Sequence, residues 1–127
     1  MHLILIAIGG AIGALLRYFI ASLFARYLCD TFPCGTLLVN ILGSLLITFF
    51  MSLFNYGSLD PHYRYFLVIG FLGSFTTLSS VTYDTLSLIK DKQLLLAFLN
   101  LIGNFFVSLL AGIAGFLLAK IFFTRAF

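Results

Sequence analysis

Between Asp30 and Asp60 the chain carries no charged side chain, and the same holds from Gln93 to Ala119. An α-helix rises about 1.5 Å per residue, so an apolar run of ~20 residues crosses the ~30 Å hydrocarbon core of a bilayer. Two further blocks are also apolar, from about Leu3 to Leu28 with Arg17 inside it and Arg26 near its end, and from about Tyr63 to Ile89 with Arg64 at its start and Asp84 inside it. Composition agrees: 62% hydrophobic and 9% charged residues exclude a soluble domain. The prediction is an all-α membrane protein, a single four-helix transmembrane domain over residues 1–127 with loops of a few residues. Leu3 to Leu16 is read as a packed helix and not a cleavable signal, because no basic segment precedes it.

The net charge of +3 does not point to nucleic acid, since the seven Lys and Arg residues are scattered and form no patch. Four crossings put Arg64, Lys120 and Arg125 on one side, and Arg26, Lys90 and Lys92 on the other. The positive-inside rule then gives no vote. Balanced charge predicts insertion in both directions and an antiparallel pair, with itself or with an oppositely oriented partner. Cys29 and Cys34 flank Pro33 in a short loop and leave a disulfide open, but no Cys/His cluster suggests zinc or redox chemistry.

Inside the third apolar block lies Gly70 to Ser80, GFLGSFTTLSS, written like a loop. Its hydroxyls compete with helical hydrogen bonding, and irregular backbone at membrane depth persists only where protein or a water-filled cavity surrounds it. A break in the third helix is expected. The competing structural reading is a glycine-kinked helix packed through small residues.

Polar residues repeat every four positions on two otherwise apolar helices: Thr36, Asn40, Ser44, Thr48 and Ser52 on the second, then Asn100, Asn104, Ser108 and Gly112 on the fourth. Two such lines either satisfy one another across an interface or line a narrow polar track. Asn40 stands out because a buried carboxamide needs partners for both its donor and its acceptor. In the first helix, Gly9, Gly10, Gly13 and Ala14 form a small-residue face, and Arg17 continues it. Arg17 reads either as an electropositive vestibule or as an arginine reaching headgroups. Cation routes are marked by carboxylates or carbonyl arrays, and large anion pores by Lys or Arg rings; a neutral lining of amides and hydroxyls suits a small, strongly hydrated anion.

The residues Gly9, Gly10, Gly13, Ala14, Arg17 and Tyr18, then Gly35, Thr36, Leu37, Val39, Asn40, Gly43 and Ser44, and the GFLGSFTTLSS segment together resemble the Fluc, or CrcB-type, fluoride channels. The resemblance implies a dual-topology antiparallel dimer in the bacterial plasma membrane with two fluoride pores, and passive fluoride export that relieves toxicity. It also implies a structural sodium ion at the dimer centre, held by the backbone carbonyls of Gly73 and Thr76. By the same resemblance Asn40, Asn104 and Ser108 belong to the anion path, with Thr77 and Ser79 beside them.

One departure stands out. The family pattern TTFS.F places two phenylalanines after the break, whereas this chain reads TTLSSV, with Leu78 and Val81 in those places. Phe75 or Tyr83 substitutes for them, or a heterodimeric partner completes the pore, or conduction is impaired; the partner is the favoured expectation. The rival readings are a small multidrug-type exporter and a non-conducting subunit of a membrane complex. An exporter coupled to protons needs a deep carboxylate, and Asp84 lies only six residues before Lys90 in a chain without glutamate. An enzyme is not expected, since the Ser and Thr residues lack an activating His or Lys.

Overall fold

The computed structural model describes residues 1–57 and 59–125; of the predicted second connection Ser58, and of the predicted domain the last two residues, lie outside them. Four helical spans are long and apolar enough to cross a membrane, at His2–Tyr27, Cys34–Asn55, His62–Lys90 and Leu94–Thr124. We label His2–Tyr27 α1 and Cys34–Asn55 α2. The third span comprises α3 (residues 62–75), which takes π geometry over Tyr65–Leu72, and α4 (Leu78–Lys90). The fourth span is α5 (residues 94–125), with one π turn at Gly103–Val107.

Local chemistry sets the ends of these elements. Pro33 stands immediately before α2, where its missing N–H is no loss. Gly57, with φ +72°, occupies the left-handed region after α2 that side-chain-bearing residues rarely adopt. A disulfide between Cys29 and Cys34, Cα atoms 6.3 Å apart, closes the loop from α1 to α2. The thiols left open by the sequence are thus paired. Between α4 and α5 the turn is tight, with Lys92 donating to the Ile89 carbonyl at 3.0 Å and Gln93 to Leu88 at 2.8 Å.

Packing divides the molecule into two kinds of contact. α1 lies along α3 through a seam of glycines: a Cβ on Gly9 would run into the Phe66 carbonyl oxygen, and one on Gly13 into that of Phe71. α2 lies along the second half of α5, where Gly115 meets the Leu45 carbonyl just as closely. Without a hydrophobic drive between helices in lipid, such backbone approach supplies the dispersion contacts that hold spans together. The buried apolar core is small, with Val39 and Leu72 fully enclosed and Phe75 and Val81 nearly so. Large side chains such as Leu95, Phe98 and Leu110 face outward, as a lipid-facing surface requires.

At the centre, helical geometry stops after Phe75. Thr76 (φ −78°, ψ 154°) and Thr77 (φ −154°, ψ 120°) are extended, and α4 begins at Leu78 with Thr77 as its cap, its hydroxyl accepting from the Ser80 N–H at 3.2 Å. α2 passes this point at Gly43, where an added Cβ would collide with the Thr76 methyl group.

Candidate functional site

Two extended residues in mid-span leave backbone groups that the helical ladder no longer satisfies, and in lipid each such group costs several kcal/mol. Asn40 on α2 answers this at Thr77. Its Oδ1 accepts from the Thr77 N–H at 2.8 Å, and its Nδ2 donates to the Thr77 carbonyl at 3.1 Å. A carboxamide thus pairs with both backbone groups of one residue. The second hydrogen of Nδ2 goes to Asn104 Oδ1 on α5, at 2.8 Å. Asn104 Nδ2 in turn donates to the carbonyl and to the side-chain oxygen of Asn100, both at 2.9 Å. The two polar lines therefore meet at Asn40 and Asn104, and again where the Thr48 hydroxyl donates to the Gly112 carbonyl at 2.7 Å.

These residues form one wall of a groove of about 800 Å³ between α2, the Thr76–Thr77 pair and α5. Ser108 lies in the same wall, and its hydroxyl is buried with no hydrogen-bond partner among the described residues. A buried hydroxyl left unpaired costs about 1–3 kcal/mol, so its presence calls for an explanation. Leu78 and Val81 also line the groove, the first largely exposed and the second buried. Aromatic side chains come from elsewhere: Phe105 and Phe116 of α5 both border the groove. Neither was singled out from the sequence, because a phenylalanine on an apolar span looks the same whether it meets lipid or a groove.

The remaining candidates are distributed around this wall. Thr77 lines it, its hydroxyl 3.0 Å from that of Ser79 and donating to Ser80 at 3.1 Å. Ser79 is itself exposed and stands outside the groove. Gly73 is exposed on the face of the span, and Thr76 is half-buried, its hydroxyl donating to the Leu72 carbonyl at 3.2 Å. Arg17 is half-buried on α1 and makes no ion pair among the described residues. Phe75 is buried and stacked on Phe71 at 5.9 Å, whereas Tyr83 is exposed, so neither ring enters the groove wall. Thr36, the first residue of the α2 stripe, leaves the line altogether: its hydroxyl donates to Asp84 Oδ2 at 2.8 Å, beside a separate cavity of about 240 Å³. Lower on the stripe, Ser52 donates to its own helix at the Thr48 carbonyl, 2.7 Å away.

Among the described residues no cluster of three or more His, Cys, Asp or Glu side chains is present.

The sequence pattern of the family described as "CrcB-like protein, Camphor Resistance (CrcB)" matches residues 4–116. The chain belongs to the CrcB family. A relative from Sulfurihydrogenibium sp. (strain YO3AOP1), named "Fluoride-specific ion channel FluC", is 48% identical over 118 residues, 92% of this chain and 95% of that protein. Proteins of the same name from Thermus thermophilus and Thermococcus kodakarensis are 42% and 38% identical, covering 89% and 91% of this chain and 90% and 93% of their own lengths. The CrcB relatives are named for transport and not for catalysis. With four apolar spans, the chain is a multi-pass membrane protein.

Proposed function

We propose that this chain is a fluoride channel of the cell membrane that lets fluoride leave the cytoplasm passively. The observation that carries the reading is the groove wall of Asn40, Asn104 and Ser108, polar yet without a full charge, in a CrcB chain whose relatives are named fluoride-specific. An anion gives up its hydration only where donors replace it, and a full charge would hold it too long to conduct. The unpaired Ser108 hydroxyl is a donor of the right kind. Asn40 N–H groups are a second, reached by an anion that displaces the Asn104 or Thr77 oxygen.

The extended pair at Thr76 and Thr77 serves, on this reading, as a working break in the third span. The carbonyls of the turn ending at Phe75 have no helical N–H ahead of them. Carbonyl oxygens are the ligands sodium favours, so Gly73 and Thr76 fit the structural sodium site, and the exposure of Gly73 supports a second, inverted copy completing the set. The ion would supply positive charge that holds the two copies together. Balanced loop charge supports dual insertion. Pairing with itself, and not with a distinct homologue, gains support from Phe105 and Phe116, since a lone chain already brings aromatic side chains to the groove despite Leu78 and Val81.

The test is purified chain reconstituted alone in liposomes, with efflux read by a fluoride electrode. Fluoride should leave and chloride should stay. Silence from the lone chain, restored by a co-expressed homologue, would move the reading to a heterodimer; equal passage of both halides would overturn it.

A further inference from the structure

Behind Asn104, out of reach of the groove, lies a residue that the groove wall depends on. Asn100 is fully buried, 0% exposed, and forms no part of the lining. Its Nδ2 donates to Thr85 Oγ1 at 2.9 Å and to the Val81 carbonyl at 3.3 Å, while the Thr85 hydroxyl donates to that same carbonyl at 2.7 Å. Its Oδ1 accepts from Asn104. Donation therefore runs in one sense, from the Thr77 N–H to Asn40 on α2, on to Asn104 and Asn100 on α5, and then to Thr85 and the Val81 carbonyl on α4.

The sense of that chain is not free to reverse. The Asn100 carbonyl can only accept, so Asn104 must turn its NH2 towards it. The Val81 carbonyl can only accept, so Asn100 must turn its NH2 away from Asn104. The Thr77 N–H can only donate, so Asn40 must present Oδ1 there and NH2 to Asn104. Flipping any one amide would set donor against donor or oxygen against oxygen. Backbone groups pin both ends.

We infer that Asn100 is a positioning residue of the anion path: by helping to hold the Asn104 carboxamide with its oxygen towards Asn40, it keeps the Asn40 N–H groups, which an anion reaches by displacing the Asn104 or Thr77 oxygen, in place beside the groove. This deepens the channel reading and rests on it. Without the Asn100 side chain, Asn104 Nδ2 keeps the Asn100 carbonyl but loses its second acceptor, so the carboxamide is held less firmly towards Asn40 and the donor beside the groove loses part of its fixed place. A preorganised donor is worth more than one that must be reoriented at each passage.

The experiment is a double-mutant cycle in liposomes, fluoride efflux again being the readout. Asn100→Leu should slow fluoride about tenfold, the size of effect that one lost hydrogen bond has on a barrier. In an Asn104→Ala background the same substitution should change the residual flux by no more than about twofold, because the residue it acts through is gone. Thr85→Val should act in the same direction as Asn100→Leu, and Thr85→Ser, which keeps the hydroxyl, should retain flux. An equal loss from Asn100→Leu with and without Asn104 would mean a role in the fold alone, and would overturn the inference, as would wild-type flux in Asn100→Leu. Hydrogen exchange at the Asn104 side-chain amide, followed by NMR in bilayers, gives a reading independent of conduction. Slow exchange in the wild type that becomes fast in Asn100→Leu and Thr85→Val supports the inference even if the unaltered chain passes no fluoride, which would sink the channel reading instead. Unchanged exchange overturns the inference.

Discussion

The seam between α1 and α3 and the groove between α2, Thr76–Thr77 and α5 solve the same problem by opposite means. At the seam, side chains are absent: Gly9 and Gly13 bring backbone against backbone, and Ser74 ties the two by donating to the Gly10 carbonyl at 2.8 Å. At the groove, three asparagines link α2 to α5 through their carboxamides, and Asn40 supplies the hydrogen bonds that the extended backbone at Thr77 has lost. A dry contact tolerates no added atom, and a carboxamide contact tolerates no lost one. The first kind of contact holds the fold rigid, while the second leaves exchangeable donors where an anion can compete for them.

That contrast is most directly broken at Gly13. Gly13→Leu would drive a branched side chain into the Phe71 carbonyl, and overpacking of this kind costs well over about 3 kcal/mol when backbone must move. The expected result is loss of monodisperse protein on size-exclusion chromatography; a folded, conducting variant would show that the seam is adaptable after all. Asn40→Ala is the counterpart in the groove. Two donated bonds and one accepted bond disappear, and fluoride flux should fall by about two orders of magnitude while protein of the wild-type elution volume is still recovered. Equal flux in Asn40→Ala and Ser52→Ala would deny Asn40 its role.

Ser108→Ala sharpens the contrast further. Removing a buried hydroxyl that has no partner should leave thermal stability unchanged or raise it by about 1 kcal/mol, yet slow fluoride several-fold, roughly the effect of one weak donor. A loss of stability with unchanged flux would assign the hydroxyl to packing. Ser52→Ala should change neither, since its hydroxyl bonds its own helix. The smallest effect is expected outside the bilayer at Asp60. The His62 backbone N–H at 2.8 Å, then its ring Nδ1 at 3.0 Å, hold the Asp60 carboxyl below the usual carboxylate range. A depressed folded value means that this contribution is present above the ordinary carboxylate pKa and is lost as pH falls through the lowered one. Both groups are largely exposed, so only a shifted Asp60 titration by NMR, and no measurable change in stability or flux, should follow.

The positions of the spans were legible without coordinates. The predicted blocks at Leu3–Leu28, Asp30–Asp60, Tyr63–Ile89 and Gln93–Ala119 fall within a few residues of the helices observed, because sustained apolar character over ~20 residues is a property of composition along the chain. The two four-residue stripes were legible too, but their use was not. Spacing of four describes neighbours on one helix and is silent about which members a second helix meets. Thr36 turns to Asp84 and Ser52 to its own helix, while Asn40 reaches Asn104 and Thr48 the Gly112 carbonyl.

Sequence by itself determined that this chain is a four-span membrane protein of the CrcB kind, since hydropathy and motif order are local quantities that need no partner to be read. Only the tertiary structure decided which way each carboxamide points and that Asn100 helps to hold Asn104. Hydrogen-bond direction is a property of a closed set of donors and acceptors drawn from α2, α4 and α5, and no single segment contains that set.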